Sequence, residues 1–356
     1  MGIEKIIAID LGKFKSVLCL MDTATRRHTF ETVPTTPSDL HDLLARHLTP
    51  DAAATHVVFE TCDTAGWVHD LCAALGTAVT CVHANGEPWQ WRRVKRKTDR
   101  DDALKLAKLA LMDQLPAVHV PAPDQRQKRR LILHRRSVVT RRTQSRNAIR
   151  SIFSQQGLPL APGGKQWTRA GLEQLRQHAR PLTECGPEDL WRGRLQIELD
   201  LMAAVDQQLK VIDATLDALA DDRTTLLQTV KGVGPRVAEA VVLYLDEPTR
   251  FKNANAVAGY AGLVPKQIES GTMSRHGHIT RRGPSLLRSM LTEAAWMVWR
   301  HNAWAKLWVD KISHGSRARR KIAIVALARR LLTILWAMLR TNQPFREPMP
   351  SLIAPS

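Results

Sequence analysis

The sequence lacks the cysteine patterns that mark zinc sites and disulfide frameworks. Its five cysteines are scattered, with no CxxC pair and no histidine at ligand spacing; such a set is typical of reduced, mostly buried thiols in a cytoplasmic protein. We expect no secretion signal, because Glu4, Lys5 and Asp10 interrupt the first residues. The most apolar run, residues 322–339, carries two arginines at its centre, which favours a core helix over a membrane span. We therefore expect a soluble, cytoplasmic protein.

Acidic residues are also in short supply. The 356 residues include 52 lysines and arginines against 34 aspartates and glutamates, a formal net charge of +18. Hydrophobic residues make up 44%, which is enough for a globular protein of two or three domains. The charge favours a polyanionic partner, with nucleic acid first and an anionic membrane surface second. The Walker pattern GxxxxGK followed by Ser or Thr is absent.

The first third of the chain alternates strand-like and helix-like segments. Three strand candidates, KIIAIDL, SVLCLMD and HTFETV, follow one another closely enough for antiparallel pairing. After a helical pattern near residues 40–47, strands at HVVFETC and AVTCVHA alternate with helices near residues 67–75 and 99–112. This order predicts an α/β domain whose mixed sheet is covered by helices.

The middle of the chain predicts two long helices. Ten lysines and arginines and no acidic residue lie between Arg126 and Arg150, in a helix that Gly157 ends. A second helix, over residues 195–220, has apolar residues four and three apart, the spacing of a coiled-coil seam. The seam consists of Val205, Leu209, Ile212, Leu216 and Leu219. It predicts either a helix hairpin within one chain or self-association.

Four carboxylates in the first domain are candidates for chemistry. Asp10 and Glu60 each end a predicted strand, and KTDRDDA opens a helix on which Asp99 and Asp102 share a face. Asp101 has a structural role available as the partner of an N-terminal cap at Thr98. Each of these acids alone is more often an ordinary surface residue. Four together repel one another without a cation, so the set favours phosphodiester chemistry with a hard divalent ion such as Mg²⁺.

The second half offers a glycine turn and a serine. VKGVGPRVAEAVV, residues 230–242, resembles a helix–hairpin–helix that receives a DNA phosphate, or it is a plain helix connection. Farther on, we expect a polar loop over residues 266–282, before a helix, with Ser270 next to Gly271 and several cations. Such a serine could attack a phosphate, although ESG alone is a weak signal and more often a simple turn.

These motifs resemble one family. Asp10, Glu60 and the KTDxxDA box with Asp99 and Asp102 are similar to the DEDD signature of RuvC-like transposases of the IS-one-ten class, which includes the Piv-type DNA invertases. The segments KGVGP, FKNANAVAGYAGLVPKQIESG and ITRRGPSLLRSML resemble the second domain of that family. The resemblance runs from about residue 4 to residue 345, and the only departure noted is KGVG where many relatives read PGIG.

The resemblance implies a domain organisation. Residues 1–118 would form an RNase H-like (RuvC-like) catalytic domain, and residues 119–223 the basic helix with a coiled-coil linker. Residues 224–345 would form an all-α transposase domain with the helix–hairpin–helix-like turn, followed by a flexible tail over residues 346–356.

It also implies a mechanism and partners. Asp10, Glu60, Asp99 and Asp102 would bind Mg²⁺, with Mn²⁺ as a substitute, and Ser270 would form a covalent phosphoserine link to donor and target DNA. A homodimer or homotetramer is implied, as is a structured guide (bridge) RNA. The candidate nucleic-acid contacts are Arg129, Arg130, Arg135, Arg136, Arg141, Arg142 and Arg146 in the basic helix, Lys231, Gly232 and Gly234 at the turn, and Lys266, Arg275, Arg281 and Arg282 near the serine.

Two other functions stay open from the sequence. A RuvC-like junction nuclease would use water, so its carboxylates would matter and Ser270 would not. A protein without catalytic activity would use the basic helix and the glycine turn only to bind nucleic acid.

Overall fold

The chain forms two compact units, Met1–Arg126 and Gln127–Ser356. The structure is a computed structural model, and it describes residues 2–83, 98–270 and 273–347, without the side chains of residues 267–276. The finer domain division expected from the sequence stays a prediction. All five cysteines are free thiols, three of them buried.

The first unit is built on a five-stranded mixed sheet. Its strands are β1 (Lys5–Asp10), β2 (Lys15–Asp22), β3 (His28–Pro34), β4 (Thr55–Glu60) and β5 (Ala78–Val82). They lie in the order β3-β2-β1-β4-β5, in which β1, β2 and β3 pair antiparallel while β4 and β5 continue parallel to β1. The prediction of a mixed α/β sheet at the start of the chain is confirmed.

Helices cover both faces of this sheet, because both sets of alternating strand residues are apolar. The helices are α1 (Pro37–His47), α2 (Ala65–Ala74) and α3 (Asp99–Leu111). Ile7, Ile9 and Phe59 share a core with residues of α1 and α2. Ile6, Ala8 and Val58 share the opposite core with α3. In β1 and β4, odd-numbered residues therefore face α1 and α2, and even-numbered residues face α3.

The second unit begins with two long antiparallel helices. They are α4 (Pro123–Gln155, whose first residues belong to the first unit) and α6 (Leu190–Ala218), separated by α5 (Arg169–His178). Leu209, Ile212 and Leu216 of the predicted seam are buried in the same core as Ile132 and Val138 of α4. Of the two readings of the seam, the structure supports the helix hairpin within one chain.

Salt bridges between α4 and α6 strengthen this hairpin. Arg135 donates from Nε and Nη2 to the two carboxylate oxygens of Asp213, at 2.6 and 3.1 Å. Seven residues farther along α4, Arg142 pairs with Asp206 at 3.3 Å. The hydrogen bond from Arg135 holds the pKa of Asp213 below its ordinary value.

The C-terminal part is helical except for one hairpin. Its helices are α7 (Asp222–Gln228), α8 (Pro235–Leu245), α9 (Ala254–Tyr260), α10 (Ser285–His301), α11 (Ala303–Ser313) and α12 (Arg320–Thr341). Strands β6 (Pro265–Ser270) and β7 (Met273–Ile279) pair antiparallel between α9 and α10. The expectations of an all-α domain and of a loop over residues 266–282 were therefore wrong. Ser270 pairs with Met273, and residues 271 and 272 lie outside the described residues.

Helix α12 is the one described helix that is long and apolar enough to cross a membrane by length and composition, with half of its most apolar window buried. Leu327, Leu331 and Leu335 are fully buried in a core that also includes residues of α8, α10 and α11. It packs as the core helix that its central arginines predicted.

Candidate active site

Asp10 and Glu60 lie at the same end of two neighbouring strands. Strands β1 and β4 run parallel with Ile9 opposite Phe59, so Asp10 and Glu60 are the next residues on each. Adjacent strands lie about 4.8 Å apart. Both residues are even-numbered, like Ala8 and Val58, so their side chains lie on the face of the sheet that α3 covers. Both side chains are half-buried, and each already makes an interaction.

Helix α3 carries the other two carboxylates at its first turn. Its C-terminal residues Ala110 and Leu111 line a cavity with Ile6, His56 and Ala78, at the starts of β1, β4 and β5. Because α3 and β1 are each about 20 Å long, its N-terminal turn lies toward the opposite strand ends, where Asp10 and Glu60 stand. The four residues thus share one face and one end of the sheet.

The N-terminal cap of α3 forms as predicted. The Thr98 side chain accepts from the Asp101 backbone N–H, and the Asp101 carboxylate accepts from the Thr98 backbone N–H at 3.0 Å. The Asp101 carboxylate also accepts from the Thr98 hydroxyl at 2.7 Å, and this bond together with the one from the Thr98 backbone N–H lowers the pKa of Asp101. Asp101 is occupied by the cap, whereas Asp99 and Asp102 flank the helix face that packs on the sheet.

The four carboxylates suit a hard cation by their chemistry, but their side chains are not gathered around one point. Carboxylate oxygens are the ligands that Mg²⁺ prefers. In the part of the chain that the structure describes, however, no three His, Cys, Asp or Glu side chains lie close enough together to hold a metal ion. The residues fit a divalent ion by chemistry and by shared position on the sheet.

The glycine turn joins two packed helices, α7 and α8. Gly232 has φ of +104°, and a Cβ there would lie 2.8 Å from the backbone N of Val298 in α10. Gly234 caps α8 and has open space around it. The exposed Lys231 offers its carbonyl to Asn302, whose Nδ2 donates at 2.7 Å. Two helices joined by a glycine turn fit both a helix–hairpin–helix and a plain helix connection, and Gly232 is required by the approach of α10.

Ser270 is the last residue of β6, opposite Met273, at the tip of the hairpin. The side chains of Ser270 and Arg275 lie outside the described residues. Arg281 and Arg282 are exposed beyond the other end of β7. Arg281 comes eight positions after Met273, a distance of roughly 25 Å if the strand is extended. Within one chain, the hairpin therefore keeps this arginine pair away from the serine.

The base of the hairpin is tightly anchored. Gly262 and Gly283 both have positive φ, and a Cβ on either would meet a carbonyl oxygen, of Arg282 or of Tyr260, at 2.1 or 1.9 Å. Arg288 of α10 donates from Nη1 to the carbonyls of Ala261 and Arg282, at 2.9 and 3.1 Å. The AGLVP and RRGPS segments thus build a rigid support for the strand that ends at Ser270.

The arginines of α4 divide into two groups. Arg129, Arg135, Arg142 and Arg146 are half-buried, and each has a structural contact. Arg129 donates to the carbonyls of Leu243 and Tyr244 at the end of α8, and Arg146 lies 5.1 Å from the Trp167 ring centroid. Arg130, Arg136 and Arg141 are exposed. Nucleic-acid contact stays a prediction for both groups, and the exposed group is the one that a phosphate can reach.

Two buried polar residues were missed from the sequence. Asn302 is only 4% exposed and holds the glycine turn through Lys231. Lys105, on α3 one turn after Asp102, is 6% exposed, which is rare for a lysine. A polar residue between two helices could have drawn attention to Asn302, whereas Lys105 gave no signal in a chain so rich in lysine and arginine.

Comparison with known proteins identifies the family. Residues 7–156 match a family described as "Transposase", of the DEDD type, and residues 224–309 match "Transposase IS116/IS110/IS902 family". A putative transposase (y4rJ) of Sinorhizobium fredii is 30% identical over 296 residues, which cover 76% of this chain and 73% of the relative. The chain belongs to the IS110/IS116 family of transposases.

Two further relatives have more specific names. The transposase for insertion sequence element IS1111A of Coxiella burnetii is 28% identical over 70% of this transposase and 68% of its own length. The pilin gene-inverting protein of Moraxella bovis is 26% identical over 71% and 69%. This transposase is a DNA recombination enzyme, and the DEDD type typically uses a divalent metal ion. One match contains all four carboxylates, and the other contains the glycine turn and Ser270.

Proposed function

We propose that this insertion-sequence transposase cuts and rejoins DNA strands in the cytoplasm with an RNase H-like (RuvC-like) carboxylate site. The observation that carries the proposal is the position of Asp10 and Glu60 at the ends of two parallel neighbours, on the face from which α3 presents Asp99 and Asp102. These four residues would hold Mg²⁺, or Mn²⁺ in its place. When bound, such an ion polarises a phosphate oxygen and offsets the repulsion among the carboxylates.

Ser270 is proposed as the nucleophile. Its hydroxyl loses a proton, its Oγ bonds to phosphorus, and a DNA oxygen leaves as a hydroxyl after taking up a proton. Attack by another DNA hydroxyl on the phosphoserine reverses the sequence and rejoins strands. The anchored hairpin base, with Arg288 bonded to both of its segments, supports this role because a nucleophile needs a fixed position.

Assembly into a homodimer or homotetramer is part of the proposal. The outward face of α6 supports it: Ile197, Leu201 and Val211 are 45–53% exposed and, four and ten residues apart, form a stripe along one side of the helix. Such a stripe packs against another helix. A Leu201→Asp variant should shift toward a smaller species in sedimentation velocity, and an unchanged distribution would argue against this interface.

A structured guide RNA is the remaining proposed partner. The exposed Arg141 on α4 supports it, because an exposed guanidinium can reach a nucleic-acid backbone. RNA and DNA phosphates present the same charge to such side chains, so only a binding experiment separates them.

Covalent trapping tests the chemistry. Purified protein is incubated with Mg²⁺, labelled DNA spanning the element's junction, and RNA from the flanking non-coding region, and is then run on a denaturing gel. We expect labelled protein that depends on the RNA, persists in Ser274→Ala and disappears in Ser270→Ala. Cleaved DNA without an adduct would replace the serine mechanism with a water-using nuclease. Binding without either product would leave a protein that only binds nucleic acid.

A further inference from the structure

The C-terminal part holds a second concentration of positive charge, later in the chain than α4. Residues 294–346 contain eleven lysines and arginines and a single acidic residue, Asp310. Five of these cations lie at the end of α10, on α11 and around the start of α12, and all five are exposed: Arg300, Lys306, Arg317, Arg319 and Lys321. We call these five residues the basic face.

The basic face differs from α4 in how its charges are balanced. On α4, Arg135, Arg136 and Arg142 pair with Asp213, Glu293 and Asp206. Among the ion pairs formed by described residues, none involves the five members of the basic face. Exposed charges of one sign repel one another and are stabilised when a polyanion binds.

Two contacts place the basic face beside the glycine turn. Arg320 stacks over the Trp299 ring at 5.3 Å, which fixes the first turn of α12 against the end of α10. At the junction of α10 and α11, Asn302 holds the Lys231 carbonyl, and Gly232 packs on the backbone of Val298. The turn, the end of α10 and the start of α12 therefore meet in one region of the second unit.

We propose that the basic face binds the phosphates of duplex DNA and extends the contact of the glycine turn along the backbone. DNA is the polyanion because it is the substrate of the family. The members of the basic face run from Arg300 at the end of α10, through Lys306 on α11, to Lys321 in the first turn of α12. Duplex DNA carries one charge about every 1.7 Å of its axis, so several successive phosphates are available to them. The proposal rests on the DNA-acting role of the transposase and is independent of the serine chemistry.

The test measures the salt dependence of DNA binding. Full-length protein in the Ser270→Ala background, without Mg²⁺, is titrated onto a labelled 30-base-pair duplex at several salt concentrations. Because every sample in this assay lacks the Ser270 hydroxyl, a negative binding result cannot come from a failure of the serine chemistry. We expect Arg317→Ala/Arg319→Ala/Lys321→Ala to reduce the log–log salt slope by about 2–3 and to weaken binding about tenfold or more.

Matched variants separate local contact from net charge. Lys165→Ala/Arg169→Ala/Arg194→Ala removes the same charge from exposed positions of the same unit, and it should change the slope by less than about 1. Arg317→Lys/Arg319→Lys/Lys321→Arg should keep the wild-type slope. If the triple alanine variant has a lower melting temperature than wild type, the salt slope is measured instead with the double variant Arg300→Ala/Lys306→Ala.

Two results would overturn the proposal. A loss of binding to single-stranded RNA of equal length, with duplex binding intact, would assign the basic face to RNA. An unchanged slope on both nucleic acids would mean that the basic face does not bind either of them. The exposed apolar side chains of Leu307 and Ile322, which are 53% and 66% exposed, would then indicate a protein-contact surface.

Discussion

At position 232 the backbone has φ of +104°, and the nearest atoms of α10 leave no space for a Cβ. Gly234, two residues later, has ordinary φ and open surroundings. The sequence suggested the same phosphate-binding role for both glycines. The structure separates them, because only Gly232 is required for the turn to pack. A phosphate contact, where it occurs, is therefore better sought at Gly234 and Lys231.

Substitution of the two glycines should have unequal effects. Gly232→Ala forces a strained φ and a contact with Val298, so we expect the free energy of unfolding to fall by about 2–4 kcal/mol. Gly234→Ala should cost less than about 1 kcal/mol. Urea denaturation of both variants checks this, and equal losses would contradict the role assigned to α10.

Glu239 of α8 is a buried acid among charged neighbours. It is 5% exposed, and Arg236 approaches it at 2.9 Å, while Asp217, Asp213 and Arg135 complete its surroundings. Burial raises the pKa of Glu239 from its ordinary 4.5 to about 7, against the opposing effect of Arg236. The folded state therefore keeps a proton that the unfolded chain releases.

This buried acid predicts a pH dependence of stability. Its contribution is fully present below pH 4.5 and is lost as pH rises toward about 7, because unfolding then releases a proton. We expect Glu239→Gln to remove a loss of about 1–3 kcal/mol between pH 5 and pH 8. Thermal melts across that range measure it. The exposed Glu293→Gln should leave the wild-type dependence intact, and the same slope in both variants would exclude Glu239 as its source.

At the scale of elements, the β6–β7 hairpin depends on its base. Thr280 N–H donates to Val264 at 2.8 Å and Arg281 N–H to Gly262 at 3.1 Å, with Arg288 bridging the two segments. Arg288→Leu should expose these two amides to hydrogen exchange about tenfold faster and lower the unfolding free energy by about 1–2 kcal/mol. Arg282→Leu, at an exposed position, is the control. Unchanged exchange in Arg288→Leu would show that the glycines alone hold the base.

Periodicity predicted most elements, but not what their polar residues do. The five strands of the first unit, both long helices and the Thr98 cap were predicted because apolar spacing and cap residues are local signals. The α4–α6 partners were not, although Arg135 and Arg142 are seven apart and so are Asp206 and Asp213. The equal seven-residue spacing on the two helices, which is expected for ion pairs between antiparallel helices, was the signal available in the sequence. The β6–β7 hairpin was missed because its residues are mostly polar and its strength comes from Gly262, Gly283 and Arg288.

At the scale of the whole molecule, the apolar cores are separate. The sheet of the first unit has one core on each face, and the second unit has one core around α8, α10 and α12 and another between α4, α5 and α6. No single sequence signal marked the division near residue 126, because α4 begins in the first unit and continues into the second. Because each unit has apolar cores of its own, we expect the two units to unfold separately.

Calorimetry with one core substitution in each unit tests this. Leu44 in α1 and Leu291 in α10 are fully buried, so truncation to alanine should cost about 2–5 kcal/mol in its own unit. We expect two heat-absorption transitions, with Leu44→Ala lowering one midpoint and Leu291→Ala the other, each by roughly 5–15 °C. Leu190→Ala, at a 47% exposed position, should move neither. One transition lowered by both core variants would mean that the units unfold as a single cooperative body.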